Sequence, residues 1–187
     1  AQAYDLYILP SGGGEARKLA GTPDRSFGIV DWAHDGKSIY VSEVQGTVNR
    51  VFTVPTDGSR PSILTTGEGN YSGSSFSGDG GTFAFIHQSS ESAPEISVSP
   101  VKKFEPRKLT TIHADIPSLP MGKTEVIRWK SKDGKEIEGL LTYPVGYKKG
   151  TRYPLIVNMH GGPAGVFTQS YTGSGSIYPL QAFAQQG

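Results

Sequence analysis

The sequence predicts a mainly β chain: a partial β-propeller built from repeating four-stranded units, followed by the opening of an α/β domain. Three observations carry that reading. A turn-and-strand pattern recurs at a fixed spacing through the first 110 residues. Glycine (25) and proline (13) are frequent while the apolar fraction is 35%. That balance suits many short strands joined by tight turns, because glycine supplies positive φ and proline fixes φ at corners. After residue 110 the pattern gives way to a longer hairpin, a continuous apolar run and a helical spacing.

The repeat is explicit. Trp32-Ala33-His34-Asp35-Gly36-Lys37-Ser38-Ile39-Tyr40-Val41 aligns with Phe76-Ser77-Gly78-Asp79-Gly80-Gly81-Thr82-Phe83-Ala84-Phe85, with Asp35 and Asp79 44 residues apart. Leu6-Tyr7-Ile8-Leu9, Phe52-Thr53-Val54-Pro55 and Ile96-Ser97-Val98-Ser99 recur in step with it. Each is followed by a polar turn and a short closing strand at Arg17-Lys18-Leu19, Pro61 to Thr65, and Arg107 to Thr110. The alternating strands Ser38 to Glu43 and Thr82 to His87 follow Asp-Gly turns, a hairpin signal because such turns need φ > 0. Four strands in about 40–45 residues is the propeller period. A β-sandwich also has short strands but need not repeat its turn chemistry at a fixed interval. Residues 1–111 therefore read as C-terminal blades: two blades and the second half of an earlier one, with further blades expected upstream. Tyr4, Tyr7, Trp32, Phe52, Phe76, Phe83 and Phe85 read as packing between blades. The aromatic or Ser residue, Asp-Gly-Lys and alternating strand resemble TolB-like propeller blades, a resemblance that by itself implies little about function.

Residues 112–123, with Pro117 and Pro120, have no periodicity and read as a linker. Residues 124–187 then begin a second domain. Glu125 to Lys130 alternates, Asp133-Gly134 turns, and Glu136 to Tyr143 returns. Tyr153-Pro154-Leu155-Ile156-Val157-Asn158-Met159 is nearly all apolar and of strand length, which predicts a strand buried on both faces of an α/β sheet. His160-Gly161-Gly162-Pro163-Ala164-Gly165 follows at once. Leu180, Phe183 and Ala184 lie at helical spacing behind Pro179, so 178–186 reads as a first crossover helix ending at Gly187.

A strand that runs into two glycines lets a ligand approach the backbone, since no Cβ intervenes. In α/β-hydrolases a loop at this place supplies one N–H of the oxyanion hole, and the residue after the nucleophile supplies the other. Losing one such donor costs about 3–4 kcal/mol of barrier stabilisation. The other reading of the same residues is a tight strand-to-loop turn without a catalytic role. The segment "YPLIVNMHGGPAG" after a Lys-Asp-Gly hairpin, itself preceded by blades, resembles the prolyl oligopeptidase family. Within it the chain is most similar to acylaminoacyl peptidases and dipeptidyl aminopeptidases. The resemblance covers nearly the whole chain and is most specific over 124–165. It implies a truncated α/β-hydrolase domain and a serine exo- or oligopeptidase gated by its propeller. The backbone N–H of Gly162 would be the oxyanion donor, with Gly161 as the adjacent candidate and His160 and Pro163 supporting the loop. In some relatives a Tyr hydroxyl stands at His160. The His here sides with the acylaminoacyl-type branch.

No Gly-x-Ser-x-Gly occurs; Gly173-Ser174-Gly175-Ser176 has the wrong spacing. The Ser-Asp-His triad is therefore expected outside these residues, and the 187-residue segment alone is expected to be inactive. Eighteen Lys and Arg against 17 Asp and Glu give no electrostatic case for nucleic acid or an acidic membrane surface. The chain has no cysteine, and no stretch approaches the ~20 apolar residues of a membrane span. His34, His87 and His113 lack metal-ligand spacing, and no metal or cofactor is expected. The expected partners are a short peptide substrate and the remainder of the polypeptide, upstream blades and downstream hydrolase core. The sequence leaves compartment, oligomeric state, blade number and acylaminoacyl versus dipeptidyl specificity open. Two other functions fit parts of it: a TolB-like binding propeller carrying 120–187 as an accessory domain, and an α/β-hydrolase esterase.

Overall fold

The computed structural model describes residues 3–115, 119–162, 165–175 and 177–187. Among these residues, four antiparallel sheets account for the strands. β1 (Tyr7–Ile8) pairs with β2 (Arg17–Lys18). Next come β3 (Gly28–Trp32), β4 (Ser38–Gln45), β5 (Val48–Pro55) and β6 (Ser62–Ile63), a meander in sequence order. A second meander is built from β7 (Asn70–Phe76), β8 (Thr82–Gln88), β9 (Glu95–Pro100) and β10 (Arg107–Lys108). β11 (Thr124–Lys130) and β12 (Glu136–Thr142) make a separate hairpin, and α1 (Leu180–Gln186) ends the chain.

The two meanders repeat one another down to their irregularities. Trp32 pairs with Ile39 as Phe76 pairs with Phe83, and the first strand of each sheet shifts register, between Ile29 and Asp31 and between Ser72 and Ser75. In both turns the first residue donates to the residue that resumes the strand: Ala33 N to Ser38 O and Ser77 N to Thr82 O, each 2.8 Å. Gly36 and Gly80 sit at φ +69° and +67°. Asp35 and Asp79 do not; instead their Oδ1 atoms accept the amides of Lys37 and Gly81 at 2.9 Å. The Asp-Gly signal thus works through one left-handed glycine and one side-chain-bridged aspartate, rather than through two residues at positive φ.

Strand alternation sends the β3–β6 sheet's two faces into two cores. Ile39, Val41, Phe52 and Val54 pack with Leu6 and Leu19 of the β1–β2 unit. Tyr40, Val51 and Leu64 pack with Tyr71, Phe83 and Phe85 of the next sheet. Phe76 is sandwiched in that second core, 3.9 Å from the Tyr40 ring and 5.3 Å from the Phe83 ring. Phe52, Phe83 and Phe85 are buried as expected, but Tyr4, Tyr7 and Trp32 are half-exposed. Trp32 is the repeat counterpart of Phe76, and its facing unit is a pair of two-residue strands, too small to cover it. Face-to-face stacking of consecutive meanders is how blades pack, but no closed propeller forms among the described residues.

One buried acid links the first two units. Glu43, 1% exposed on β4, accepts through Oε1 from Thr22 Oγ1 and Asp24 N at 3.0 Å and Ser26 N at 3.3 Å. It thereby satisfies the backbone of the 22–26 loop leading into β3, while its Oε2 is buried with no protein partner.

The second half departs from expectation at one element. Residues 151–160 form no strand, and Leu155, Val157 and Met159 are 73%, 71% and 85% exposed. Apolar composition gives a segment the means to sit inside a sheet, but a strand exists only where neighbouring strands satisfy its N–H and C=O groups. None of the described strands flanks this run. The hairpin and helix are where the sequence puts them, although the helix's packing face differs. Gln181 and Ala184 are buried, whereas Leu180 and Phe183 are partly exposed. Gln181 Oε1 accepts Gly122 N at 2.7 Å and its Nε2 donates to Gly122 O at 3.0 Å. A Cβ at Gly122 would fall 1.9 Å from Tyr143 O and 2.9 Å from Ala184 Cβ, so only glycine allows this docking. Pro117 of the linker lies outside the described residues.

Candidate functional site

β12 hands the chain to a ladder of tyrosines, Tyr143 against Tyr147 at 4.6 Å and Tyr147 against Tyr153 at 5.5 Å. Its base is a charged cluster: Glu125 accepts from Lys123 Nζ at 2.6 Å and from Tyr143 Oη at 3.1 Å. The Lys123 contact holds the Glu125 carboxyl below the usual glutamate range, and the same carboxylate raises Lys123 and Tyr143. From Tyr153 the apolar run leads to His160.

His160, Gly161 and Gly162 lie in an exposed loop. Gly162 adopts φ +115°, a conformation that side chains rarely tolerate. Gly165 N donates back to Gly161 O at 3.1 Å, which brings the two glycines together. A Cβ on Gly165 would meet that carbonyl oxygen at 2.4 Å, so this closure also requires glycine. Pro163, expected to support the loop, lies outside the described residues. His160 sets Nδ1 3.2 Å from Gly161 O and packs against the edge of Phe167, with ring centres 5.9 Å apart. Among the described residues, neither the Gly161 nor the Gly162 amide takes part in strand pairing. A Cβ on Gly161 would meet nothing within 4 Å, so the backbone there is open to approach.

Two clefts lie elsewhere. One of about 380 Å³ is apolar and bordered by Gly21, Phe52, Pro61 and Ile63. The other, of about 710 Å³, lies between the β4–β5 turn and the β11–β12 hairpin, with Arg50, Glu68, Arg128 and Glu138 on its walls. Neither reaches Gly161 or Gly162.

The segment beyond the glycine loop was not legible in the sequence. Residues 168–172 form a strap across both four-stranded sheets. Gln169 bonds Thr47 twice, N to O at 2.8 Å and Nε2 to Oγ1 at 3.1 Å. Tyr171 N donates to Gln88 Oε1 at 3.0 Å, and Thr172 donates to Ser90 O from its amide and its hydroxyl. Asn70 meets Thr168 and Ser170 at 2.9 Å each. Partners 98 and 100 residues apart in sequence leave no periodic trace that could have revealed them.

No family model matches the chain. It is similar to dipeptidyl-peptidase 5 of Trichophyton equinum, at 26% identity over 160 residues that make up 83% of this chain and 22% of that protein. It is 27% identical over 191 residues to a probable dipeptidyl-peptidase 5 of Emericella nidulans, covering 97% of this chain and 26% of the relative. Among solved structures, dipeptidyl peptidase 4 of Porphyromonas gingivalis matches with a TM-score of 0.69 at 16% identity, over 98% of this chain and 26% of that one. The chain thus spans 22–26% of the length of the curated relatives it matches. In sequence the chain is similar to dipeptidyl-peptidase 5 proteins, and in fold it is similar to a dipeptidyl peptidase 4.

Proposed function

We propose that this chain is the blade and oxyanion-loop portion of a serine peptidase that hydrolyses short peptides through an acyl-enzyme. The blades act as a gate that admits short chains and excludes folded proteins. The amides of Gly162 and Gly161 stabilise the oxyanion that forms when a serine hydroxyl attacks the scissile carbonyl. The nucleophile, acid and general-base histidine come from elsewhere in the polypeptide, since no Gly-x-Ser-x-Gly occurs in these residues. The observation that carries the reading is the Gly161-Gly162 pair outside strand pairing, with Gly162 at φ +115°. Similarity to dipeptidyl peptidases over 83–97% of the chain supports release of dipeptides over release of acyl-amino acids.

The test uses the full-length gene product on dipeptidyl and N-acyl-aminoacyl p-nitroanilides. We expect dipeptide release, inactivation by an organophosphonate serine reagent, and a fall in kcat of about a hundredfold on Gly162→Ala with KM little changed. The 187-residue segment alone is expected to turn over neither substrate, since it holds no Gly-x-Ser-x-Gly. Hydrolysis of simple esters but of no peptide would replace this reading with an esterase. Peptide binding without turnover would replace it with a TolB-like binding module.

A further inference from the structure

We propose that Asn70 is a positioning residue through which the two four-stranded sheets hold the His160–Gly162 loop in place. The proposal rests on the oxyanion reading of that loop. Asn70 opens β7 and is 5% exposed. Its Oδ1 accepts the backbone N–H of Asn49 on β5 at 2.9 Å. A backbone amide can only donate, which fixes the side chain's orientation and leaves the Nδ2 group to face the strap. Both Nδ2 hydrogens are used there, on Thr168 Oγ1 and Ser170 Oγ, each at 2.9 Å. Those hydroxyls lie 3.0 Å apart, close enough for one to donate to the other. One buried amide therefore ties β5 of the first sheet, β7 of the second and the strap into one network, in which its bonds to the strap are lost together if the strap lifts.

The strap connects to the glycine loop over a short distance. Phe167, next to Thr168, braces His160 edge-on, and Gly165 closes back onto Gly161 O. Among the described residues the Gly161 and Gly162 amides pair with no strand, so their pose depends on such contacts. A misplaced oxyanion donor lowers transition-state stabilisation and not ground-state binding, so loss of the Asn70 link should appear in kcat.

In the full-length gene product, two variants break the link from opposite sides: Asn70→Ala, and Thr168→Val combined with Ser170→Ala. The second leaves the Asn70–Asn49 bond intact and so guards against a folding defect in the first. Each is expected to lower kcat on a dipeptidyl p-nitroanilide by about tenfold or more, with KM within about threefold. The triple variant should lose little beyond either parent. Amide hydrogen exchange should quicken at 160–172 while β4, β5 and β8 keep their protection. A strap variant that retains kcat within about threefold, or that leaves exchange at Gly161 and Gly162 unchanged, overturns the proposal. If the unaltered full-length protein cleaves no peptide, the peptidase reading falls and the exchange measurement alone decides whether Asn70 governs the loop.

Discussion

At the scale of single residues, the same sequence signal has different consequences depending on what faces it. Gly36 and Gly80 occupy matching turns with nearly the same φ, +69° and +67°. A Cβ on Gly36 would find only Trp32 Nε1 at 3.8 Å, whereas one on Gly80 would meet His34 Cβ at 2.9 Å, because the second turn leans on the first. Both alanine variants incur the cost of a left-handed conformation, about 1–2 kcal/mol. Gly80→Ala must also displace His34, which adds about 1 kcal/mol or more. Urea unfolding should therefore rank the two, with Gly80→Ala clearly the less stable; equal midpoints would contradict the contact between the turns. Glu43 makes the complementary point. A charged residue within a strand pattern reads as a solvated position, yet its carboxylate is buried because the 22–26 loop offers it three donors on one oxygen. That loop lies some twenty residues upstream, so the strand's own pattern carried no sign of it.

At the scale of elements, what was legible divides by whether an element's definition is local. Turns and hairpins are local: Asp35-Gly36, Asp79-Gly80 and Asp133-Gly134 each end in a glycine at positive φ, at the places the sequence marks. The Tyr153–Met159 run is not local, since a doubly buried strand is defined by neighbours, and composition cannot supply them. The helix Leu180–Gln186 falls within the predicted 178–186, but burial of Gln181 has no sign in the sequence, because the pull comes from Gly122, 59 residues away. The exit from the second meander shows a local device that titrates. Glu95 on β9 accepts the Thr110 hydroxyl and the amides of Ile112 at 3.1 Å and His113 at 3.2 Å. The Thr110 bond first, and then those amides, hold its carboxyl below its ordinary value of 4.5. A carboxylate with a depressed folded pKa contributes stability above its unfolded pKa and loses that contribution as pH falls through the folded value. Relative to Glu95→Gln, the protein should thus be more stable at neutral pH, with the difference fading as pH drops below 4.5. Thermal unfolding of both proteins across that range reads this directly; a difference that stays constant with pH would assign the anchoring to neutral hydrogen bonds alone.

At the scale of the whole molecule, the chain has one half that satisfies itself and one that does not. The meanders bury two apolar cores and pair their strands, so their amides open only with the sheets. The run from Leu155 to Met159 has no strand pairing and keeps most of its apolar surface in water. A surface of that kind on a segment leading straight into the Gly161-Gly162 pair is the mark of an element built to be covered. Within the proposed function, the cover is the remainder of the hydrolase core, which would convert the run into the central strand its composition describes. Hydrogen exchange separates the two situations without any assay of activity. In the 187-residue segment, amides 155–160 should exchange at nearly unprotected rates while those of β4, β5 and β8 are slow. In the full-length gene product, the same six amides should become protected by several orders of magnitude, as those of buried strands are. The two outcomes bear differently on the site. Protection would mean that a sheet fixes the loop from its upstream side while Asn70 and the strap fix it from the downstream side. Amides that stay fast in the longer protein would leave the glycine pair held only by the strap, and the assignment of Leu155 to Met159 as a sheet strand would have to be given up.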